Sequence, residues 1–150
     1  MNSSGDLLDR AVQIAVRAHE GQSDKYGAPY ILHPFRVMMR VCTLAEKIVA
    51  MLHDTVEDGG VTLEDLRGEG FPGEVVEAVD RLSRRGGESY DAYMERASAD
   101  PLAASVKMAD LEDNMDLRRI PMIGDKDVER LLRYHSNWRK LFERFGERAG

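Results

Sequence analysis

The chain contains a single cysteine, Cys42, so an internal disulfide is excluded and a reducing compartment such as the cytoplasm is expected. It has no run of about 18 apolar residues, which a membrane-spanning helix needs. Its N-terminus lacks the charged-then-apolar pattern of an export signal. The net charge of −6 is also the wrong sign for general binding to nucleic acid or to an anionic membrane. We therefore expect a cytoplasmic protein without nucleic-acid or membrane partners, and no feature of the sequence specifies an oligomeric state.

The 150 residues are 43% hydrophobic and 32% charged, which is the balance of a folded globular protein. We expect one domain over residues 1–150, since this length buries a core of its own. Repeats, low-complexity tracts and hairpin signals are absent from the sequence, and apolar residues recur at helical spacing throughout. The sequence therefore predicts an all-α fold, with helices near 7–18, 34–41, 43–52, 62–68, 73–84, 89–97, 101–115 and 125–145.

His53 and Asp54 are adjacent at the end of a predicted apolar helix, in the stretch AMLHDTVED (50–58). Both side chains are able to ligate one divalent metal ion. Glu57 and Asp58 follow about one helical turn later and would place two more carboxylates beside that ion. The dipeptide alone carries little information, so its significance depends on further metal-binding residues elsewhere in the chain.

Two other segments supply such residues. His33 precedes Pro34 at a loop-to-helix junction, where the backbone is biased toward an extended conformation that can aim the imidazole. The alternative is that His33 only packs or hydrogen-bonds there. Lys107, Asp110 and Asn114 are spaced three and four residues apart and share one face of a helix. The alternative for this group is a Lys107–Asp110 ion pair with Asn114 as a hydrogen-bonded core amide.

Taken together, His33, His53, Asp54 and Asp110 offer two imidazoles and two carboxylates. Such a nitrogen and oxygen donor set suits Mn²⁺, Fe²⁺, Co²⁺, Ni²⁺ or Zn²⁺ with positions left for water. A metal bound this way lowers the pKa of its water and polarises a phosphoryl oxygen. Glu57 and Asp58 are then candidates to orient or deprotonate the water. Lys25 and Lys107 are candidates to offset phosphate charge.

The order His, His-Asp, Asp resembles the HD superfamily of metal-dependent phosphohydrolases. The closer resemblance is to the hydrolase domain of the RelA/SpoT family and its free-standing Mesh1-like relatives. Three stretches carry it: AHEGQSDKYGAPYILHP (18–34), AMLHDTVED (50–58) and VKMADLEDNM (106–115). The resemblance implies a single HD-type helical bundle. It also implies a Mn²⁺-dependent hydrolase that removes pyrophosphate from the 3′ position of guanosine tetra- or pentaphosphate.

The resemblance also implies roles for individual residues. The family's metal ligands match His33, His53, Asp54 and Asp110. Its acidic pair, which acts on the attacking water, matches Glu57 and Asp58. Two positions near the substrate match Lys25 and Asn114.

Three positions depart from the family pattern and concern the nucleotide rather than the metal. Asp24 stands where a cation is usual, Leu111 where a basic residue is usual, and Asp113 where a histidine is usual. These changes leave a second substrate open, such as a nucleoside monophosphate or a dinucleotide phosphate like NADPH. A non-catalytic nucleotide-binding module is a third interpretation, against which the intact Glu57 and Asp58 pair argues. His19, at the end of the first helix, is expected to act as a C-terminal cap rather than in catalysis.

Overall fold

The computed structural model describes residues 3–146, and this range is built from helices. In chain order these are α1 (Ser4–Ala18), α2 (Leu32–Met39), α3 (Leu44–Leu52), α4 (Thr55–Asp58), α5 (Leu63–Gly68), α6 (Gly73–Leu82), α7 (Tyr90–Ser98), α8 (Pro101–Asn114) and α9 (Asp125–Phe145), with a 3₁₀ turn at Leu117–Arg119 before α9. No strand forms in this range, where Ser23 and Pro29 make only an isolated antiparallel bridge. The all-α prediction is confirmed. None of these helices combines the length and the apolar character that crossing a bilayer takes.

Side-chain caps begin several helices, and the sequence spacing of Thr43 with Glu46 and of Thr62 with Asp65 predicts two of them as capping boxes. Thr62 and Asp65 form a full capping box on α5, with each side chain accepting the other's backbone N–H. On α3, Thr43 Oγ1 accepts from the Glu46 N–H at 3.1 Å, as predicted. A capping box would also have the Glu46 carboxylate accept from the N–H of Thr43. This part of the prediction is wrong, because the carboxylate accepts from the N–H of Cys42, one residue earlier. Local hydrogen bonding therefore fixes where α3 and α5 start.

Helix α3 lies at the centre of the main core. It contacts α1, α2, α6 and α8, and its five consecutive residues Ile48–Leu52 are all buried. A helix that is apolar on every side must be surrounded by other helices, and here it is. The chain leaves this helix at His53, so the polar His-Asp pair emerges directly from the most apolar part of the molecule.

A second cluster joins α7, α8 and α9. Leu111 of α8 and Leu141 of α9 are buried in it, and Trp138 donates from Nε1 to Glu112 Oε2 at 3.0 Å. The predicted bounds of α9 are confirmed. Helical spacing in the sequence predicts an apolar stripe on α9 that includes Val128 and Leu132. The prediction is wrong at these two residues, which are 46% and 68% exposed, because the buried contacts with α7 and α8 lie further along the helix.

Gly59 allows α4 to lie close to α1. A Cβ at this position would lie 2.5 Å from Ala18 Cβ and 2.8 Å from the Thr55 carbonyl oxygen, closer than real Cβ atoms approach other atoms. Absence of a side chain at Gly59 therefore permits the short helix after His53 and Asp54 to seat against the first helix.

Candidate metal centre

Four predicted metal ligands come together where α2, α3 and α8 meet. His33 lies in the first turn of α2, and Asp110 lies in the third turn of α8. His53 and Asp54 form the link between α3 and α4. The Thr55 hydroxyl donates to the Leu52 carbonyl oxygen at 2.8 Å across this link, which holds the interruption between the two helices.

The donor atoms of these four residues are close to one another. His33 Nε2 lies 2.9 Å from Asp110 Oδ1 and 3.7 Å from Asp54 Oδ2. His53 Nε2 lies 3.0 Å from Asp54 Oδ2 and 3.6 Å from Asp110 Oδ1. The two imidazole rings are 5.3 Å apart at an angle of 65°. The structure thus gathers every predicted ligand around one point.

The arrangement fits a divalent cation. One ligand atom each from His33, His53 and Asp54 lies within 4.8 Å of the others, and both histidines are buried. His53 Nδ1 bonds the Ala50 carbonyl oxygen at 2.5 Å, which requires a proton on Nδ1. His53 Nε2 is buried and makes no hydrogen bond among the described residues, although it lies 3.0 Å from Asp54 Oδ2. A nitrogen held in this way beside two carboxylates is suited to ligate a metal.

The charges in the site balance one another without a metal. Burial opposes a charge on the imidazole of His53, but Asp54 and Asp110 raise its pKa well above the usual value. Burial likewise opposes a charge on Asp110, but Lys107 and the two imidazoles hold its pKa well below the usual value. The pKa of Asp54 is lowered against its burial, chiefly by the charge of His53. The carboxylates of Asp54 and Asp110 therefore stay ionised next to positively charged side chains. A bound metal ion would supply positive charge at the same place.

Tyr30 is a contact of the site that the sequence did not predict. Its hydroxyl donates to Asp54 Oδ2 at 2.6 Å, and burial together with the Asp54 charge raises its pKa far above the usual value. Tyr30 therefore stays protonated and holds Asp54. His19 occupies the C-cap of α1 as expected, and its buried ring lies 4.8 Å from that of Tyr30. The only sequence signal for Tyr30 is its place three residues before His33.

Glu57 and Asp58 lie on α4, one turn beyond Asp54, and both are exposed on one side. Partial burial raises the pKa of each carboxyl, and the charge of Asp54 acts in the same direction. Glu57 Oε2 accepts from the backbone N–H of Arg84 at 3.3 Å, which connects it to the loop after α6. Both groups therefore border the four donor residues and favour the protonated form more than an ordinary carboxyl does.

Lys107 is placed differently from a residue that reaches out to a substrate. It is buried, its Nζ lies 2.8 Å from Asp110 Oδ2, and it sits 4.9 Å from the centre of the Tyr93 ring. This is the ion pair that the sequence left as an alternative. Asn114 donates from Nδ2 to Asp110 Oδ1 at 3.3 Å, so two side chains of α8 hold the carboxylate of Asp110.

A small cleft opens beside Asn114 and contains two of the three predicted substrate-binding residues, Lys25 and Asn114. It is lined by Lys25, Tyr26, Asn114, Arg119, Ile120, Asp127, Arg130, Leu131 and Tyr134. Lys25, Arg119 and Arg130 give it three cationic side chains. Arg119 and Arg130 follow the three motif stretches and were not predicted as site residues, because no spacing relates them to the metal ligands.

The three departures from the family pattern have distinct positions. Asp24 is turned into its own loop, where it accepts from the N–H groups of Tyr26 and Ala28, and it pairs with Arg119 at 3.3 Å. Leu111 is fully buried in the cluster with α9 and does not line the cleft. Asp113 is also fully buried and bonds His33 Nδ1 at 2.7 Å. The negative charge of Asp24 is thus offset by Arg119 rather than left open to a substrate.

Comparison with known proteins found relatives along most of the chain. No family model matches it. A GTP pyrophosphokinase of Streptomyces coelicolor is 37% identical over an alignment of 125 positions, which covers 75% of this chain and 15% of that protein. A guanosine-3′,5′-bis(diphosphate) 3′-pyrophosphohydrolase of Aquifex aeolicus is 31% identical over 120 positions, covering 72% of this chain and 17% of the relative. The chain therefore spans about one sixth of the length of these curated relatives.

A solved structure has the same fold over the whole chain. It is described as a metazoan orthologue of SpoT that hydrolyses ppGpp, and it superposes with a TM-score of 0.69. The match covers 97% of this chain and 98% of that one at 20% sequence identity. At this level of identity the match establishes the fold, which confirms the predicted HD-type helical bundle.

Proposed function

Because this chain belongs to the HD-type hydrolases related to RelA and SpoT, we propose that it is a metal-dependent phosphohydrolase that acts on a phosphorylated guanine nucleotide. The first candidate reaction is removal of pyrophosphate from the 3′ position of guanosine tetra- or pentaphosphate. We place this activity in the cytoplasm, in keeping with the single free thiol of Cys42. The observation that carries the proposal is the convergence of two imidazoles and two carboxylates where α2, α3 and α8 meet.

His33, His53, Asp54 and Asp110 are the residues that would hold the metal, and Mn²⁺ is the ion proposed first. When bound, such an ion supplies a water of lowered pKa and polarises a phosphoryl oxygen. Asp54 is kept in place by Tyr30, and Asp110 by Lys107 and Asn114. The chain therefore holds both carboxylates in position before any ligand arrives.

Glu57 and Asp58 would act on the attacking water. The pKa of each carboxyl is raised, which brings it closer to the pH at which an enzyme operates. A general base is most efficient when its pKa lies near that pH. Glu57 is oriented through Oε2 by the backbone of Arg84, which leaves Oε1 to receive the proton. Glu57 and Asp58 are therefore needed for turnover and not for metal binding, whereas the four ligands are needed for both.

The nucleotide phosphates would lie over the cleft at Asn114, whose volume of about 20 Å³ is too small to enclose them. Lys25 and Asn114 line it together with Arg119, which pairs with Asp24 and Asp113, and Arg130, which pairs with Asp127. Lys25 is therefore the cation of this lining that is proposed to offset phosphate charge. The ammonium of Lys107 is paired with the Asp110 carboxylate, so Lys107 would support substrate binding only indirectly, by holding Asp110 in place. The proposed substrate-binding set is therefore Lys25, Asn114 and, indirectly, Lys107.

A second substrate is kept because Asp24 stands where the family pattern has a cation, so this loop provides one positive charge fewer and pairs with Arg119 instead. Hydrolysis of a nucleoside monophosphate or of NADPH is the alternative that this residue favours. The deciding experiment is metal analysis of the purified protein followed by incubation with Mn²⁺ and a panel of these nucleotides. We expect about one ion per chain and release of pyrophosphate from guanosine tetraphosphate. Cleavage of another nucleotide alone would reject the first substrate, and tight binding without cleavage of any would reject the enzyme.

Four variants test the proposed division of roles. Replacing His53 by Ala should remove both the bound metal and turnover, while the matched His135→Ala change on exposed α9 should remove neither. Glu57→Gln and Asp58→Asn should lose turnover and keep the metal, because these carboxylates lie outside the donor set. Full activity in a preparation stripped of metal would reject the proposed mechanism.

A further inference from the structure

Asp113 is a fully buried carboxylate that is surrounded by donors. Its Oδ2 lies 2.7 Å from His33 Nδ1 and 3.1 Å from Arg119 NH1, while its Oδ1 lies 2.8 Å from Arg36 Nε. The guanidinium of Arg40 is a further 3.7 Å from Oδ1. Groups from α2, α8 and the 3₁₀ turn thus meet at one side chain, directly behind the imidazole of His33.

These contacts place a proton on Nδ1 of His33. Arg36 Nε and Arg119 NH1 donate to the two oxygens of Asp113, which is the arrangement of cations around a carboxylate. A carboxylate only accepts, so His33 Nδ1 must donate to it. Nε2, on the opposite side of the ring, lies 2.9 Å from Asp110 Oδ1 and 3.7 Å from Asp54 Oδ2, so it is the nitrogen that faces a cation placed between these carboxylates.

The surroundings also require an anion at position 113. Both oxygens of Asp113 accept from arginines, Oδ1 from Arg36 and Oδ2 from Arg119, and Oδ2 also accepts from His33 Nδ1. A histidine, the residue usual at this position in the family, would bring no negative charge to the three arginines. An amide would turn its NH₂ toward a donor in either orientation. The acidic residue is therefore matched to cations that this chain itself supplies.

We propose that Asp113 is a positioning residue of the metal centre, which holds His33 by Nδ1 so that Nε2 is the nitrogen offered to the metal. This inference rests on the metal site of the proposed function. A carboxylate behind a ligating histidine fixes the direction of the ring and makes the nitrogen a stronger donor. Arg36 and Arg119 act one step further back, because they hold the carboxylate that holds the ring.

A purely structural role would leave a different signature. Asp113 ties α8 to α2, so its loss could lower stability without changing how well the folded protein binds a metal. The two roles separate when metal affinity is measured on the folded protein and thermal stability is measured on the metal-free protein. Only a positioning role lowers the affinity of the folded fraction.

The test compares Asp113→Asn with Asp116→Asn, the same substitution three residues further on. Asp116 pairs with Arg118 and caps the 3₁₀ turn, which an asparagine also does, and it does not contact His33. Each protein is checked for folding by circular dichroism and titrated with Mn²⁺ and with Zn²⁺. We expect Asp113→Asn to bind each ion about 10- to 100-fold more weakly, with Asp116→Asn equal to the wild type. Equal affinity in folded Asp113→Asn would overturn the inference.

A second measurement needs no variant. In zinc-loaded wild-type protein, a long-range ¹H–¹⁵N correlation spectrum should show His33 protonated at Nδ1 and bound through Nε2. Protonation at Nε2 would overturn the inference even where Asp113→Asn failed to fold. Both experiments omit the nucleotide, so they separate the two proposals. A wild type that binds neither ion rejects the proposed function, whereas an equal affinity in Asp113→Asn rejects only the role of Asp113.

Discussion

Tyr30 and Asp54 are joined by a hydrogen bond of 2.6 Å between the phenolic oxygen and Oδ2. The bond connects the loop before α2 to the link between α3 and α4, and it holds the carboxylate that follows His53. Because the Tyr30 hydroxyl donates to Oδ2, it fixes the orientation of the Asp54 carboxylate. This orientation determines which lone pairs of Asp54 face the metal site.

Replacing Tyr30 by Phe should weaken metal binding about tenfold, because Asp54 loses the donor that orients it. Isothermal titration with Mn²⁺ measures the change. Tyr26→Phe is the matched control, since its hydroxyl donates to Asp127 at 2.7 Å and not to a proposed ligand. An affinity that is the same in Tyr30→Phe and Tyr26→Phe would contradict the role given to Tyr30.

Replacing Lys107 by Met should lower the free energy of unfolding of the metal-free protein by about 3 kcal/mol, because Asp110 is left buried without its cation. Adding a divalent ion should restore part of this loss, since the ion brings positive charge to the same carboxylate. Urea unfolding with and without Mn²⁺ measures both effects. The exposed Lys140→Met change on α9 should show neither. A metal-induced gain no larger in Lys107→Met than in the wild type would refute this account.

Replacing Gly59 by Ala should destabilise the protein by about 1–3 kcal/mol, because the new methyl group has to displace Ala18 or the Thr55 carbonyl. Gly68→Ala is the control, as nothing lies within 4 Å of a Cβ at that helical position. The control should be as stable as the wild type or more so. Thermal unfolding of both variants tests this, and equal melting temperatures for the two would show that α4 can shift without cost.

Glu88 should make stability depend on pH in the acid range. Hydrogen bonds from Arg96 lower the pKa of its carboxyl from 4.5 to about 2. A group with a depressed pKa in the folded state stabilises the protein above its unfolded pKa and loses that contribution as the pH falls. The difference in unfolding free energy between the wild type and Glu88→Gln should therefore be greatest above about pH 4.5 and shrink toward pH 2. A difference that stays constant over this range would contradict the assignment.

Much of the fold could be predicted from the sequence, because long amphipathic segments and their caps are local signals. The bounds of α9 and the start of α8 at Pro101 follow from such signals. Helix α4 was not predicted, since a single turn of four residues is too short to show a period. The exposed Val128 and Leu132 were misplaced because the packing partner of α9 covers only part of its apolar surface.

The four donor residues could be predicted because histidine and aspartate side chains are common metal ligands and can be recognised in the sequence. The contacts that hold these four side chains in place could not be predicted. Tyr30 reaches Asp54 across 24 residues, Asp113 reaches His33 across 80, and Arg119 reaches Asp24 across 95. No pattern of spacing encodes such pairs, because they arise only when separate helices pack. Lys107 could be predicted as either a phosphate contact or an ion-pair partner, and the structure shows it buried in an ion pair with Asp110.

The separation of the donors along the chain has a thermodynamic consequence. His33 and Asp110 are 77 residues apart, so the donor set exists only after α2, α3 and α8 have docked. An ion that binds the assembled set and not the unfolded chain stabilises the folded state, by an amount that grows with the logarithm of the ion concentration above its Kd. The fraction of protein that carries a metal ion therefore reports whether the tertiary structure is intact. A substitution that loosens the packing of α8 would be detected first as a loss of the bound ion.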